Sequence, residues 1–367
     1  MQYFLATVST IAITATGAYA GGIDRSGQDV GLLFETGRVM ELSYGMITPS
    51  VEGTDVAGQP TGNVADNYAQ IDLSYKYDIN DKLSFALNID SPFGADIEYG
   101  ATSPLLGGTV AKASSEAITG LLRYKINENF SVHGGVRAQR ASANITLKGL
   151  AYGGLNGYNV ALGSDTAPGY VAGVAYERTD IAMRIALTYN SAIKHEFATQ
   201  ETLNGAPIAA PGMTEVKTPQ SVNLDFQTGI APGTLLYGQV RWADWSEFKV
   251  DPVTFTALTG GGLIDLKDTF TYTLGIGRRF NDNWAGSVSI QYEKKGDPLV
   301  SPLAPTNGRI GLSLAAIYTM DNMKITGGIN YTKVGDASPE TGTPDTARAS
   351  MEGNTSVGVG LKIAYTF

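Results

Sequence analysis

The chain has 367 residues, a formal net charge of -9, 17% charged residues, two histidines and no cysteine. The lack of cysteine excludes disulfide scaffolds, thiolate metal sites and cysteine nucleophiles. The acidic balance argues against a nucleic-acid partner. No motif indicates a cofactor or a metal site.

Residues 1–20 are expected to form a secretory signal. A mainly apolar run leads to Ala18, Tyr19 and Ala20, which match an A-x-A cleavage pattern. No Lys or Arg precedes the run, so the signal is atypical or the start lies slightly late; a buried N-terminal strand is the alternative. No later segment approaches the ~20 uninterrupted apolar residues that a spanning helix needs. Export without a helical anchor then leaves a soluble exported protein or a membrane β-barrel.

The end of the chain shows the pattern that decides between these classes. Apolar or aromatic residues alternate with Gly, Lys, Ala and Thr over the last eleven positions, and since side chains in a strand alternate between two faces, they share one face. They are Val357, Val359, Leu361, Ile363, Tyr365 and Phe367. Similar segments begin near residues 69, 118, 181, 222 and 284 and run about ten residues, the length that crosses a bilayer when tilted. An apolar face opposite a small or polar face is typical of a barrel with lipid outside and a watery lumen.

Short polar breaks predict the number of strands. Asn, Asp, Gly and Pro, which suit tight hairpins, cluster near residues 80–82, 127–129, 178–180, 231–233, 281–283 and 321–322. Two strands fit between successive breaks, and residues 38–53 and 351–367 add one strand at each end. The sequence therefore predicts an all-β fold, a transmembrane antiparallel β-barrel of about 14 strands over residues 38–367, in which the last strand pairs with the first. The short turns would be periplasmic, and longer loops would lie near 54–66, 100–113, 149–167, 198–217, 249–267, 296–307 and 335–350.

The chain resembles the FadL family of outer-membrane transporters of long-chain fatty acids and other hydrophobic compounds. The resemblance covers most of the mature chain and is based on the strand count and on short phrases. These are Gly53-Thr54-Asp55, the turn at residues 78–83, and Ser91-Pro92-Phe93-Gly94 inside the third strand.

The phrase from Ser91 to Gly94 predicts an interruption of strand three. Pro92 cannot donate to a strand ladder and Gly94 tolerates a bulge. In a closed barrel, backbone groups near lipid must be paired, so an interruption needs a reason. The resemblance implies that it is a kink through which an apolar substrate leaves sideways into the membrane. The alternative is that Pro92 ends the strand at the outer rim.

The resemblance also implies a plug, or hatch, inside the lumen, and residues 21–37 are the candidate. Ser26, Gly27 and Gly31 are similar to the Gly/Ser-rich beginning of the family. The segment is shorter than the usual hatch and lacks the Asn-Pro-Ala phrase that normally precedes strand one. A disordered leader is the alternative for these residues.

Charged side chains opposite the lipid face are expected to point into the lumen. They are Asp72, Lys76, Arg123, Lys125, His133, Arg137, Arg184, Asp225, Arg241, Glu293, Lys324 and Lys362. An Arg fork suits a fatty-acid carboxylate, and Arg137 and Arg140 are the candidates because residues 135–141 resemble strand five of the family. The two have opposite parity, so we expect Arg137 inside and Arg140 near the outer rim. Alternatively, the lumen charges pair with one another.

The sequence thus predicts a passive outer-membrane channel of a Gram-negative bacterium for long-chain fatty acids or other hydrophobic compounds. Its partners would be membrane lipid, the hydrophobic substrate and the outer-membrane assembly machinery, for which Tyr365 and Phe367 would be the signal. A general or small-solute porin is the alternative function. An enzyme is not expected, because neither His133 nor His195 lies in a hydrolase motif.

Overall fold

A computed structural model describes residues 23–367, and the predicted signal peptide lies outside these described residues. Fourteen strands form one antiparallel sheet, several of them in two segments. They are β1 Val39–Ser50, β2 Tyr68–Asp78, β3 Leu83–Asp90 with Gly94–Glu98, β4 Val110–Lys125, β5 Phe130–Leu147, β6 Tyr158–Arg178, β7 Met183–Asn190 with Ile193–Leu203, β8 Gly212–Thr218 with Ser221–Ala231, β9 Thr234–Ala243, β10 Thr269–Arg279, β11 Trp284–Glu293, β12 Arg309–Met320, β13 Met323–Val334 and β14 Thr355–Thr366.

The sheet closes on itself as the sequence predicts. β1 pairs with β2 on one side and with β14 on the other, and the second ladder runs from Val39 opposite Thr366 to Ser50 opposite Thr355. Every other barrel strand pairs with the strands before and after it in the chain. Closure removes both edges of the sheet, and these edges would otherwise carry unpaired backbone groups into lipid.

The remaining elements are short. The single described α-helix, α1, is Val253–Thr259, and 3-10 turns lie at Gly31–Phe34, Leu150–Leu155, Thr179–Ile181 and Trp245–Glu247. Small strands in the loops are Gly53–Asp55, Ala206–Pro207, Leu299–Val300, Ser338–Thr341, Thr346–Ala347 and Ala349–Met351. None of the helices in residues 23–367 is long and apolar enough to cross a membrane.

The six short turns lie at one end of the barrel, where the sequence places them. The 3-10 turn Thr179–Ile181 joins β6 to β7, and Ala231 pairs with Thr234 across the turn between β8 and β9. In two other turns the side chain of Asn80 or Asn127 accepts backbone N–H bonds from residues two and three positions later. This is the Asx geometry that makes Asn a common turn residue.

The prediction of strands of about ten residues was wrong for the middle of the chain. β4, β5 and β6 have 16, 18 and 21 residues, and β7 and β8 continue as a hairpin in which Ile193 lies opposite Thr218. Residues 158–167 and much of 198–217, predicted as loops, are therefore strand. These strands are longer than the ~10 residues that span a bilayer, so the barrel wall extends beyond the membrane on the loop side.

The outer surface shows where the membrane ends. Ile118 on β4 and Val136 on β5 are exposed and apolar. Toward the loops, the outward residues become Glu116 and Arg140, which lie opposite each other. Because charges are disfavoured against hydrocarbon, the apolar band ends between these two levels. Beyond this limit the two faces of the wall exchange character, with charges outside and apolar side chains inside.

Candidate functional site

The phrase from Ser91 to Gly94 interrupts β3 within the wall. β3 pairs with β2 only between Leu73–Ile89 and Asp78–Ser84. Beyond the break, its outer segment pairs with β4, and a single bridge joins Ala65 to Ile97 near the loops. The part of β2 from residue 68 to 72 pairs with β1 but has no ladder with β3 among the described residues. We call this gap, bounded by β2 residues 68–72 and β3 residues 90–96, the window.

The window lies at the loop end of the apolar band. Ile71 and Ile89 flank it on the outer surface and are 61% and 37% exposed. Phe93 turns inward instead and is buried, with its ring edge-to-face against Trp245 at 5.5 Å between centroids. The interruption is therefore within the wall, and the outer segment Gly94–Glu98 rules out a strand that simply ends at Pro92.

The N-terminal segment, residues 23–37, contacts the window from the lumen side. Asp24 forms an isolated antiparallel bridge with Phe93. The Arg25 N–H donates to the Pro92 carbonyl at 2.8 Å, and the Gly94 N–H donates to the Ile23 carbonyl at 2.9 Å. Backbone groups that the break in β3 leaves without a strand partner are thus satisfied by residues 23–25.

Side-chain contacts hold the same segment in place. The Arg25 guanidinium pairs with Asp96 at 2.7 Å and lies 4.2 Å from the centroid of the Tyr68 ring. Ser26 donates to Asp90 at 2.5 Å. A Cβ on Gly94 would lie 2.4 Å from Arg25 Cζ, so a larger residue at this position requires the arginine side chain to shift. The contacts connect both edges of the window to residues 25 and 26.

Arg241 on β9 anchors the segment from the opposite wall. Its Nε donates to Asp24 Oδ2 at 2.6 Å and its Nη2 to Gln28 Oε1 at 3.1 Å. Its Nη1 donates to Ser221 and Asn223 on β8 at 2.9 and 2.8 Å. Charge-assisted bonds of this kind are among the stronger ones in proteins, and Arg241 is 4% exposed.

Further along, the segment contacts the barrel wall near the short turns. Leu33 and Phe34 pack against wall residues of β3, β4, β6 and β7. The Phe34 ring lies 4.6 Å from the guanidinium carbons of both Arg123 and Arg184, within the range of cation–π attraction. Arg123 also pairs with Glu177. Below Phe34, a cavity of about 780 Å³ opens among the short turns.

A small apolar pocket lies inside the wall next to the window. It has a volume of about 50 Å³ and is lined by Ile23, Phe93, Phe197, Val216, Phe248 and Val250, together with small residues of β4 and β5. Ile23 belongs to the N-terminal segment, so displacement of that segment would enlarge the pocket and connect it to the window.

The two predicted headgroup ligands lie on opposite faces of β5. Arg137 is 5% exposed on the lumen side, and its Nε donates to Thr119 Oγ1 at 2.8 Å. Arg140 is exposed on the outer surface and donates to Ser164 at 3.3 Å. The predicted parity is thus observed, and the structure does not bring the two arginines together.

Other predicted positions are placed as follows. Ser26 and Gly27 lie among the anchoring contacts, where the Gly27 carbonyl accepts from Asn223. Gly31 begins the 3-10 turn that ends at Phe34. Tyr365 and Phe367 are exposed on the outer surface at the turn end, with ring centroids 4.9 Å apart.

Sequence reasoning missed Asp24, Arg25, Trp245 and Phe197. Phe197 could have been found from the sequence. Around it, Ile193, His195 and Phe197 alternate with Lys194 and Glu196. A charged outer face with an apolar inner face indicates a wall segment beyond lipid. No group of three or more potential metal ligands occurs among residues 23–367.

Comparisons with known proteins agree with this architecture. The structure of a Pseudomonas aeruginosa FadL homologue matches with a TM-score of 0.71 and 18% identity, over 92% of both chains. The Pseudomonas putida toluene transporter TodX matches with a TM-score of 0.64 and 14% identity, over 92% of both chains. The Ralstonia pickettii toluene transporter TbuX matches with a TM-score of 0.64 and 15% identity, over 91% of this chain and 90% of that one.

At these identities the likeness shows the fold. None of the curated proteins matches the sequence. The family model described as outer membrane protein transport protein (OMPP1/FadL/TodX) matches residues 35–367. This chain belongs to the OMPP1/FadL/TodX family of outer-membrane transport proteins.

Proposed function

We propose that this protein is a passive channel that takes long-chain fatty acids or other hydrophobic compounds into the outer membrane of a Gram-negative bacterium and releases them sideways through the window in β3. The observation that carries the proposal is the juxtaposition of three features. An apolar pocket lies inside the wall, the wall beside it has no ladder between β2 and β3, and exposed isoleucines flank that gap on the lipid side.

Substrate capture is assigned to apolar side chains on the loops. Leu150, Val253 and Leu258 are 68%, 69% and 63% exposed at the loop end. Leu106, in another loop, is instead buried in the core that the loops form with the upper wall. The exposed side chains form an apolar surface that an apolar molecule can bind, and the buried side chains stabilise the loops.

The N-terminal segment acts as the plug in this scheme. Residues 23–26 cover the window and Ile23 forms one wall of the pocket. A pocket of about 50 Å³ is smaller than the ~150 Å³ cavity that holds benzene in another protein. Substrate must therefore displace residues near Ile23, and the same movement uncovers the window.

An acidic headgroup would be held by a buried cation in the lumen. Arg137 lies on the lumen face and makes one hydrogen bond to Thr119 through Nε. A guanidinium next to apolar wall can bind a carboxylate through two parallel bonds. The apolar tail of the substrate would contribute to the binding free energy by burial, at about 25 cal/mol per Å² of apolar surface. After release, the tail would enter a similarly apolar environment in lipid.

We propose that the outer-membrane assembly machinery recognises Tyr365 and Phe367. Both are exposed at the end of the closing strand, and the Phe367 N–H donates to the Arg38 carbonyl at 3.0 Å. Removal of Phe367 should reduce the amount of folded barrel without changing transport by each folded molecule.

Uptake by cells that carry or lack the protein tests the proposal. We expect loss of the protein to slow uptake of oleate or an alkylbenzene and to leave uptake of a small sugar unchanged. Equal loss of both would favour a general porin, and loss of neither would refute transport of these substrates. The control for assembly is the shift between heated and unheated protein on a denaturing gel.

A further inference from the structure

His195 and Asp165 form a pair beside the apolar pocket, in which the histidine is buried and the aspartate is partly exposed. His195 Nδ1 lies 2.9 Å from Asp165 Oδ2, and the His195 side chain is fully buried. Asp165 also accepts the Glu196 N–H at 3.3 Å. The register between β5 and β6 shifts between the pairs Ala141–Asp165 and Ala143–Leu162, so β6 has a bulge next to Asp165. Bulges change the direction in which a strand's side chains point.

The pair lies beyond the membrane limit. Lys194 and Glu196, the outward neighbours of His195, are exposed, and Lys194 forms ion pairs with Glu196 and with Glu215. A charged outer surface at this level is incompatible with hydrocarbon. The histidine therefore belongs to the extracellular extension of the barrel, on its inner face.

The neighbours of His195 connect it to the pocket. Its ring stacks on Phe197 with centroids 5.4 Å apart and planes at 15°. Val216 lies directly opposite His195 on β8, so the two side chains share a face. Phe197 and Val216 both line the apolar pocket.

The contact with Asp165 determines which ring nitrogen carries the proton. A carboxylate accepts, so Nδ1 donates, and the neutral ring then has an unprotonated Nε2. Burial lowers the pKa of His195 despite the bond to Asp165, and this direction favours the neutral ring. Nε2 is buried and makes no hydrogen bond to any described residue. A buried acceptor without a partner is unfavourable, so it requires an explanation.

We propose that His195 Nε2 is a ligand-binding acceptor that gives the channel a preference for apolar molecules with a hydroxyl donor, such as alkylphenols. The inference rests on the proposed function, because the donor reaches Nε2 only when substrate enters the pocket. Asp165 is a positioning residue that holds the acceptor tautomer. A hydrolytic role is not supported, because no described Ser or Thr hydroxyl bonds to Nε2.

Binding of two matched probes to the purified protein tests this assignment. 4-Propylphenol and propylbenzene differ by one hydroxyl, and we expect wild type to bind the phenol roughly tenfold more tightly, the size of one net hydrogen bond. His195→Phe keeps an aromatic ring on Phe197 and should abolish the preference while retaining propylbenzene binding. An unchanged preference in His195→Phe would overturn the inference. Failure of wild type to bind either probe would instead overturn the proposed function, and the inference with it.

A second measurement does not depend on a variant at His195. The chain has two histidines, so ¹⁵N-histidine labelling gives signals from His133 and His195 alone, and His133→Gln assigns them. The unprotonated Nε2 signal of His195 should move toward its hydrogen-bonded position with 4-propylphenol and stay in place with propylbenzene. Equal responses to the two probes would contradict a hydroxyl-specific acceptor.

Discussion

Arg25 and Asp96 form a 2.7 Å ion pair that connects the N-terminal segment to the outer half of β3. Asp96 is on the far side of the break from Asp90, which accepts from Ser26. Arg25 and Ser26, which are adjacent in the segment, therefore bind the two halves of the interrupted strand. This arrangement links the position of residues 23–26 to the state of the window.

Replacing Gly94 should disturb the contact between Arg25 and Asp96. In Gly94→Ala the added Cβ would lie 2.4 Å from Arg25 Cζ, so the Arg25 guanidinium must shift from the position in which it pairs with Asp96. We expect a several-fold higher conductance in planar bilayers, because the segment covers the window less tightly. Gly45→Ala on β1 is the matched control, since its Cβ would meet nothing closer than 3.9 Å. Equal conductance of Gly94→Ala and wild type would show that Arg25 does not retain the segment.

The two arginines of β5 provide an internally controlled test of headgroup binding. Arg137→Gln should weaken binding of a long-chain carboxylate about tenfold, through loss of a charge-assisted hydrogen bond, and should leave binding of the corresponding alcohol nearly unchanged. Arg140→Gln, on the outer surface three residues away, should alter neither. Calorimetry on detergent-solubilised protein measures both ligands. Equal effects of Arg137→Gln on acid and alcohol would indicate that the wall is distorted and that no anion site is present.

The first loop should unfold locally at low pH. Burial raises the pKa of Asp55, but hydrogen bonds from Ser103 and from the backbone of Gln59 and Ala57 lower it more, so the net pKa lies below its usual value of 3.8. The stability that this carboxylate gives is present above pH 3.8 and is lost as the pH falls through the lowered pKa. Amide exchange at Ala57 and Gln59, corrected for the intrinsic rate, should show constant protection from pH 7 to 5 and loss below about pH 4.

Asp55→Asn separates this effect from general acid unfolding. The variant should show weaker protection at neutral pH and little dependence on pH at the two amides. Asp81→Asn, in an exposed turn at the opposite end of the barrel, should keep the wild-type profile. A pH profile of Asp55→Asn that matches wild type would assign the transition to another group.

The barrel was predictable because its physical signal is periodic. Alternation facing lipid, as in Val357–Phe367 of the closing strand, and Asn-rich turns such as that at Asn127 gave the strand number and closure. Pro92 and Gly94 indicated the break, since their backbone chemistry is incompatible with a regular ladder.

Other features depend on contacts that sequence spacing does not reveal. Asp24 and Arg241 are 217 positions apart, and nothing local to either residue indicates the other. The upper wall was mistaken for loop because its apolar face points inward, as at Val216. A rule that assigns apolar residues to lipid is correct only within the hydrocarbon layer.

Locking the N-terminal segment onto β3 tests the central claim most directly. Asp24 and Phe93 form an antiparallel bridge between two flanking hydrogen bonds, a geometry with Cα atoms about 4.5 Å apart that a disulfide can join. The chain has no cysteine of its own, so Asp24→Cys with Phe93→Cys forms a defined crosslink, and each single variant controls for the substitution. Uptake of radiolabelled oleate should stop in the oxidised double variant and return when a reductant is added, while neither single variant responds to redox conditions. Equal uptake by the oxidised and reduced forms, with the crosslink verified by mass spectrometry, would contradict release through the window.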